Sequence, residues 1–171
     1  MSDLGLFHTL NDAKKIFEGS AMVQEDLAAE LFTEINMLFL STDTSSNPTL
    51  CNRLILRELL ELAIIASVRM NKFGQVLVFY SRLSPFYFDQ PDLPKSYRMT
   101  TILGAILFAH LINGSKQQLA LLLSQASACI DVDFEKIDFV LEVERLVESN
   151  AICKLLDLQS CPPSSVFENF V

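Results

Sequence analysis

The chain has 171 residues, half of them hydrophobic and a fifth charged, enough for one domain or an elongated array of small units around a sizeable core. Its net charge of −8 argues against a nucleic-acid-binding domain, which needs a basic footprint for phosphate. The charge is uneven: residues 1–50 are acidic, 51–110 mildly basic and 111–171 acidic again, as expected of a varied solvated surface or of a chain facing partners of different sign.

In chain order, Leu6, Leu10, Ala13 and Phe17 recur at helical spacing, and Gly19 is placed to end that helix. Leu27, Leu31, Ile35, Leu38 and Phe39 repeat the pattern. "STDTSSNP", residues 41–48, reads as a polar loop, with Asn47 as the next N-cap and Pro48 in the first helical position. The longest predicted element runs from Thr49 to about Met70 and is apolar nearly all round, through Leu54, Ile55, Leu59, Leu60, Ala63, Ile64, Ile65, Ala66 and Val68. Such a helix is packed on several sides. Asn71 and Gly74 bracket a short turn, and Phe73, Leu77, Tyr80 and Leu83 form the next stripe. "VLVFY" within it has strand composition. The helical period nevertheless continues from 73 to 83, so a helix is expected.

Residues 84–98, "SPFYFDQPDLPKSYR", read as a loop rich in ring surface. Pro91 and Pro94 stiffen it at low entropic cost. Its rings, Phe86, Tyr87 and Phe88, either plug the gap between successive helix pairs or anchor a partner subunit. All six prolines are expected at element boundaries, with Pro94 opening the next helix. That helix takes in the most apolar run, Ile102 to Ile112, which is too short to span a bilayer, and stops at Asn113–Gly114. Gly104, Ala105 and Ala109 would let a neighbouring helix approach closely. Ser115 and Gln118 fit a capping box, and residues 137–148 and 151–158 form two short amphipathic helices. The fold class is therefore all-α: a single helical-repeat domain over residues 1–171, built as a right-handed stack of antiparallel helix pairs.

No catalytic, cofactor-binding or metal-binding residues emerge, and no enzyme, small-molecule substrate or membrane span is expected. His8 and His110 read as structural or surface histidines, with neither a cysteine nor an acid at zinc-ligand spacing. No glycine-rich phosphate loop is present. "DVDFEKIDFVLE" sets Asp131, Asp133, Glu135 and Glu142 at the calcium-ligand positions of an EF-hand, but Lys136 stands where the motif needs glycine. It reads instead as an acidic helix N-terminus, which the helix dipole favours. Glu58 and Glu61 beside Arg57 read as a surface ion-pair strip. Cys51, Cys129 and Cys153 lie in apolar runs, Cys161 lies beyond them, and no pair has C-x-x-C spacing. Free thiols in a reducing compartment are expected, the first three as small core residues, and no signal peptide is read at the N-terminus.

"FYFDQPDLPKSYRMTTILGAILFAHLINGS" resembles the central segment of the 26S proteasome non-ATPase regulatory subunit 8 family, the small PCI-type subunits of the lid. The matching residues are Phe86, Tyr87, Phe88, Asp89, Leu93, Pro94, Ser96, Tyr97, Leu103, Gly104, Leu107, Phe108, Leu111 and Asn113. Upstream, Leu54, Ile55, Leu56, Arg57, Leu60 and Glu61 fall in places similar to the family's preceding helix. The resemblance implies stacked helix pairs leading to a winged helix, and a non-catalytic scaffold in the cytoplasm and nucleus, with other lid and regulatory-particle subunits as partners. It departs from the family at the C-terminus. Ser165 and Glu168 make a capping box, with Val166, Phe167, Phe170 and Val171 as the apolar face of a starting helix, and no winged helix is expected within the chain. The candidate partner contacts are Phe86, Tyr87, Phe88, Phe167 and Phe170. The alternatives are a small subunit of another PCI complex, similar to the COP9 signalosome, or a free-standing helical ligand-binding protein.

Overall fold

A computed structural model describes residues 3–18, 25–43, 49–127, 134–159 and 162–163. Eight helices make up this part of the chain: α1 (Asp3–Glu18), α2 (Glu25–Asp43), α3 (Leu50–Arg69), α4 (Phe73–Phe88), α5 (Met99–Ile112), α6 (Lys116–Ser127), α7 (Phe134–Glu148) and α8 (Ile152–Gln159). The all-α class is as expected, and "VLVFY" is helical, inside α4. Within the 171 residues, read from the sequence as one helical-repeat domain, contacts gather into two compact units, Met1–Lys95 and Ser96–Val171.

In the first unit α3 is the central helix, packed against α1, α2 and α4. Its apolar positions run all round the axis, and Ile55, Leu56, Leu59, Leu60, Leu62, Ala63, Ile64, Ala66 and Val68 are all buried. Burial of each large side chain contributes about 1.5–3 kcal/mol. Buried Ser67 donates to the Ala63 carbonyl at 2.7 Å, so its hydroxyl is satisfied. α1 buries the expected stripe of Leu6, Leu10, Ala13 and Phe17. α2 buries Leu31, Ile35 and Leu38 together with Ala28 and Phe32, while Leu27 is exposed. Phe32 explains the rotation of that face. Its ring lies 5.8 Å from Phe17 and 5.1 Å from Phe79, tying α2 to α1 and α4.

Several boundaries differ from the sequence expectation. Residues 41–43 continue α2 rather than opening a loop. Asn47 and Pro48 lie outside the described residues, and the cap of α3 is Thr49, whose side chain accepts from Asn52 N at 3.2 Å. Gly74 sits in the first turn of α4 rather than in the turn before it. The buried stripe of α4 is Val76, Phe79, Leu83 and Phe86; of the expected Phe73, Leu77, Tyr80 and Leu83, Leu83 is buried and the other three are half-buried. α5 starts at Met99, not at Pro94. The largest departure is in "SPFYF": α4 runs through it to Phe88, with Pro85 inside the helix. Proline there costs the bond its N–H would have donated, but sitting so close to the helix end it interrupts little else, and the Pro85 carbonyl still accepts from Asp89 N at 3.0 Å.

Three helices end by one device. Asn71 (φ 56°), Gly114 (φ 67°) and Asn150 (φ 50°) take the left-handed conformation after α3, α5 and α7. Next, Lys72 N donates to Ser67 O, Ser115 N to His110 O and Ala151 N to Leu146 O, at 2.8–3.0 Å. These bonds close the last turns and reverse the chain over three residues each time. Glycine reaches this conformation without strain and asparagine is the next most tolerant residue, which is why these two types mark the turns.

In the second unit α5 packs against α6 and α7, and α7 against α8. Every residue from Ile102 to His110 is buried, Gly104, Ala105 and Ala109 among them. Phe108 meets Phe139 edge to face at 5.9 Å. α6 begins directly after Ser115, as its capping signal implies, and α7 and α8 match the two short amphipathic segments.

Candidate functional site

The ring-rich stretch is anchored by a polar cluster at one end of the α3–α4 hairpin. Arg53, Arg57 and Glu61 stand four residues apart on α3 and so share one face. Since α4 returns alongside α3, its penultimate residue Tyr87 and the connection 89–94 reach that face. The Tyr87 hydroxyl donates to Glu61 Oε1 at 2.9 Å, and Arg57 Nε lies 3.7 Å from the same oxygen. Arg57 also donates to the Pro94 carbonyl. Arg53 grips Asp92 through two contacts, the shorter 2.6 Å, and reaches Gln90 Oε1 at 3.4 Å. The Arg53 hydrogen bond holds the Asp92 carboxyl below the usual carboxylate range.

Glu61 is therefore no member of a surface strip: it is 2% exposed and lies beside Arg57. Glu58 is half-buried and pairs with Lys14 of α1 at 2.8 Å. The two carboxylates differ in neighbour: Glu61 meets Tyr87 at the α4 end, whereas Glu58 meets Lys14 of α1. The cluster holds two arginines, two carboxylates and a phenol, with Arg57 and Tyr87 on Glu61 and Arg53 on Asp92, and no nucleophile stands beside a base in it. Its chemistry is that of a clamp, fixing the connection 89–94 onto α3.

Of the candidate contact residues, Phe86 is buried, Tyr87 is half-buried with its hydroxyl turned inward, and Phe88 is half-buried with its ring at right angles to Tyr87, 6.3 Å away. Phe167 and Phe170 lie outside the described residues, as do Asp131 and Asp133 of the EF-hand-like stretch. Glu142 of that stretch is helical and pairs with Arg145. Among the described residues, no three histidine, cysteine or acidic side chains gather as a metal site, and no helix is long and apolar enough to cross a membrane. Cys51 and Cys153, expected in the core, are exposed free thiols. Cys51 stands at the start of α3, ahead of its buried stretch, and Cys153 is on the open side of the short α8. His8 does have an acid in reach, Asp12 at 2.8 Å one turn on, and this pair sits on the surface.

Two exposed features fall outside the sequence expectations. Tyr97 is 82% exposed, with the Arg98 guanidinium over its ring at 4.8 Å. α2 turns outward a stripe of Asp26, Glu30, Thr33, Met37 and Leu40, all exposed. The 26–30–33–37–40 spacing was visible, but attention to buried periodicity conceals a second stripe on the opposite face.

His110 is buried in α5, and its Nδ1 has no hydrogen-bond partner. Burial pushes its pKa below the ordinary 6.5, because the apolar surroundings disfavour imidazolium. The unfolded chain then binds more protons than the folded one in the window below pH 6.5. The stability from this group is complete above that pH and is lost as pH falls toward the depressed folded value. The melting temperature is expected to drop between pH 7 and 5.5, and His110→Leu to flatten that drop. An unchanged pH profile in the variant would show that His110 is not the group responsible.

No family model matches the chain, and no curated protein matches it.

Proposed function

We propose that the protein is a non-catalytic scaffold subunit of the 26S proteasome regulatory-particle lid, working through contacts with other lid and regulatory-particle subunits in the cytoplasm and nucleus. The observation that carries this reading is the meeting of residues from separate parts of the resemblance. Arg57 and Glu61 belong to its upstream segment, Tyr87 and Pro94 to its central one, and all four join in the clamp at the end of the hairpin. A pattern of packing residues that closes on itself in this way supports a shared helical architecture. Repeated helix–turn–helix connections and a ring-rich α4 end locked to α3 fit a stack of helix pairs offering faces to neighbours.

The test is affinity purification of the tagged protein from cells, followed by size fractionation and mass spectrometry. Recovery of lid subunits and proteasomal ATPases in one high-mass fraction is the expected result. Co-migration with a cullin-directed isopeptidase assembly would move the protein to a COP9-type complex. A monodisperse, unaccompanied chain would refute the scaffold reading.

A further inference from the structure

We infer that the outward stripe of α2 is a docking surface for a partner helix that is basic at one end and apolar at the other. Asp26, Glu30, Thr33, Met37 and Leu40 recur at four- and three-residue steps, so they line one side of the helix over about 21 Å at 1.5 Å per residue. The two acids occupy its N-terminal half. Met37 and Leu40, 65% and 57% exposed, occupy its C-terminal half and are neighbours on the helix surface.

Folding does not account for this arrangement. α2 carries Glu25, Asp26, Glu30, Glu34 and Asp43 and no lysine or arginine. The helix dipole favours Glu25 and Asp26 in the first turn, but its influence fades beyond that turn and does not explain Glu30 or Glu34. Asp26, Glu30 and Glu34 are successive i,i+4 neighbours of like charge, an arrangement that destabilises a helix. Glu25 reaches Lys72 at 3.7 Å, and Glu34 accepts from Thr9 at 2.6 Å. The ion pairs among the described residues include neither Asp26 nor Glu30. Single exposed apolar residues are ordinary, but here two adjoin in line with two uncompensated acids. Lysine or arginine against Asp26 and Glu30, with leucine or methionine against Met37 and Leu40, satisfies both halves at once. Charge steers and orients such a partner, and the apolar end holds it. The inference stands whichever assembly contains the protein.

The probe is a synthetic helical peptide of about 15 residues, matched to the stripe at 1.5 Å per residue. It carries lysines in one half of a helical face and leucines in the other. Its binding to the full chain is measured by fluorescence anisotropy at low and physiological salt. Three variants are compared: Asp26→Lys/Glu30→Lys, Met37→Ser/Leu40→Ser, and Asp138→Lys/Asp157→Lys. The last makes the same change in net charge on the second unit. All six positions are exposed, so native circular dichroism is expected throughout. The first two variants are expected to weaken binding about tenfold, with the third close to wild type. Equal weakening by the two charge reversals would show that the peptide senses net charge alone, and would overturn the inference. So would retention of affinity by the serine variant, or no measurable binding to the wild-type chain at low salt. Failure to recover lid partners from cells would leave this result unaffected, because the peptide assay uses the isolated chain.

Discussion

Phe108→Ala is expected to lower the free energy of unfolding by about 3–5 kcal/mol, the range for deleting a ring from a closed core. Phe108 is 1% exposed, lies in the part of α5 buried on all sides, and meets Phe139 edge to face. Removal loses the transfer energy of the ring and leaves a cavity that the flanking helices fill only in part. Against a typical total of about 5–15 kcal/mol, a loss of this size decides whether the second unit stays folded at growth temperature. Urea titration followed by far-ultraviolet circular dichroism reads the effect. Phe7→Ala is the companion measurement. Phe7 is 47% exposed on α1, and its removal is expected to shift stability by no more than about 0.5 kcal/mol. Equal losses in the two variants would show that α5 is not the closely packed element described above.

Arg57→Ala is expected to cost about 2–4 kcal/mol, although it removes no core side chain. The loss has two sources. Glu61, 2% exposed, is left buried without its neighbouring cation, and the Pro94 carbonyl loses its donor. Taking away one member of a buried ionic contact is far more costly than an exposed pair is worth. Lys14→Ala, which breaks the more open contact to Glu58, is expected to cost less than about 1 kcal/mol. Tyr87→Phe removes a second donor from Glu61 and should cost about 1–2 kcal/mol. Since Arg57 and Tyr87 act on the same carboxylate, the double variant should depart from additivity by at least about 0.5 kcal/mol. Strict additivity would mean that the two side chains stabilise unrelated things, and the clamp would then be no unit.

These two residues illustrate how far the sequence could be read. Phe108 sits in a run of eleven residues, Ile102–Ile112, with one histidine and no other polar side chain, and only a buried helix suits such a run. Its burial follows from composition. Arg57 and Glu61 are different. Their one-turn spacing is common on solvated helix faces, and nothing local separates a buried pair from an exposed one. What separates them is Tyr87, 26 residues beyond Glu61, whose arrival depends on the three-residue turn at Met70–Lys72 and on the length of α4. That length was itself hidden. Pro85 and three aromatics suggested a loop, whereas the burial of Phe86 and the donation by Tyr87 hold the last turn in place. Tertiary contact thus overrode a local breaker. Cys51 and Cys153 teach the converse: apolar neighbours in sequence do not bury a thiol that points away from them.

The sequence by itself determined that the chain is helical, where most turns fall, and which stripes of α1, α3 and α5 are buried. It could do so because a 3.6-residue period and a glycine or asparagine at a left-handed position are local properties. The tertiary structure alone decided that Glu61 is buried against the α4 end while Glu58 is half-buried beside Lys14, that the rings of "FYF" belong to a helix end, and that α2 has an acidic and apolar outer face. Each of these depends on which side of a helix a distant segment covers, and a helical period shows that an element has two sides without showing what lies against either.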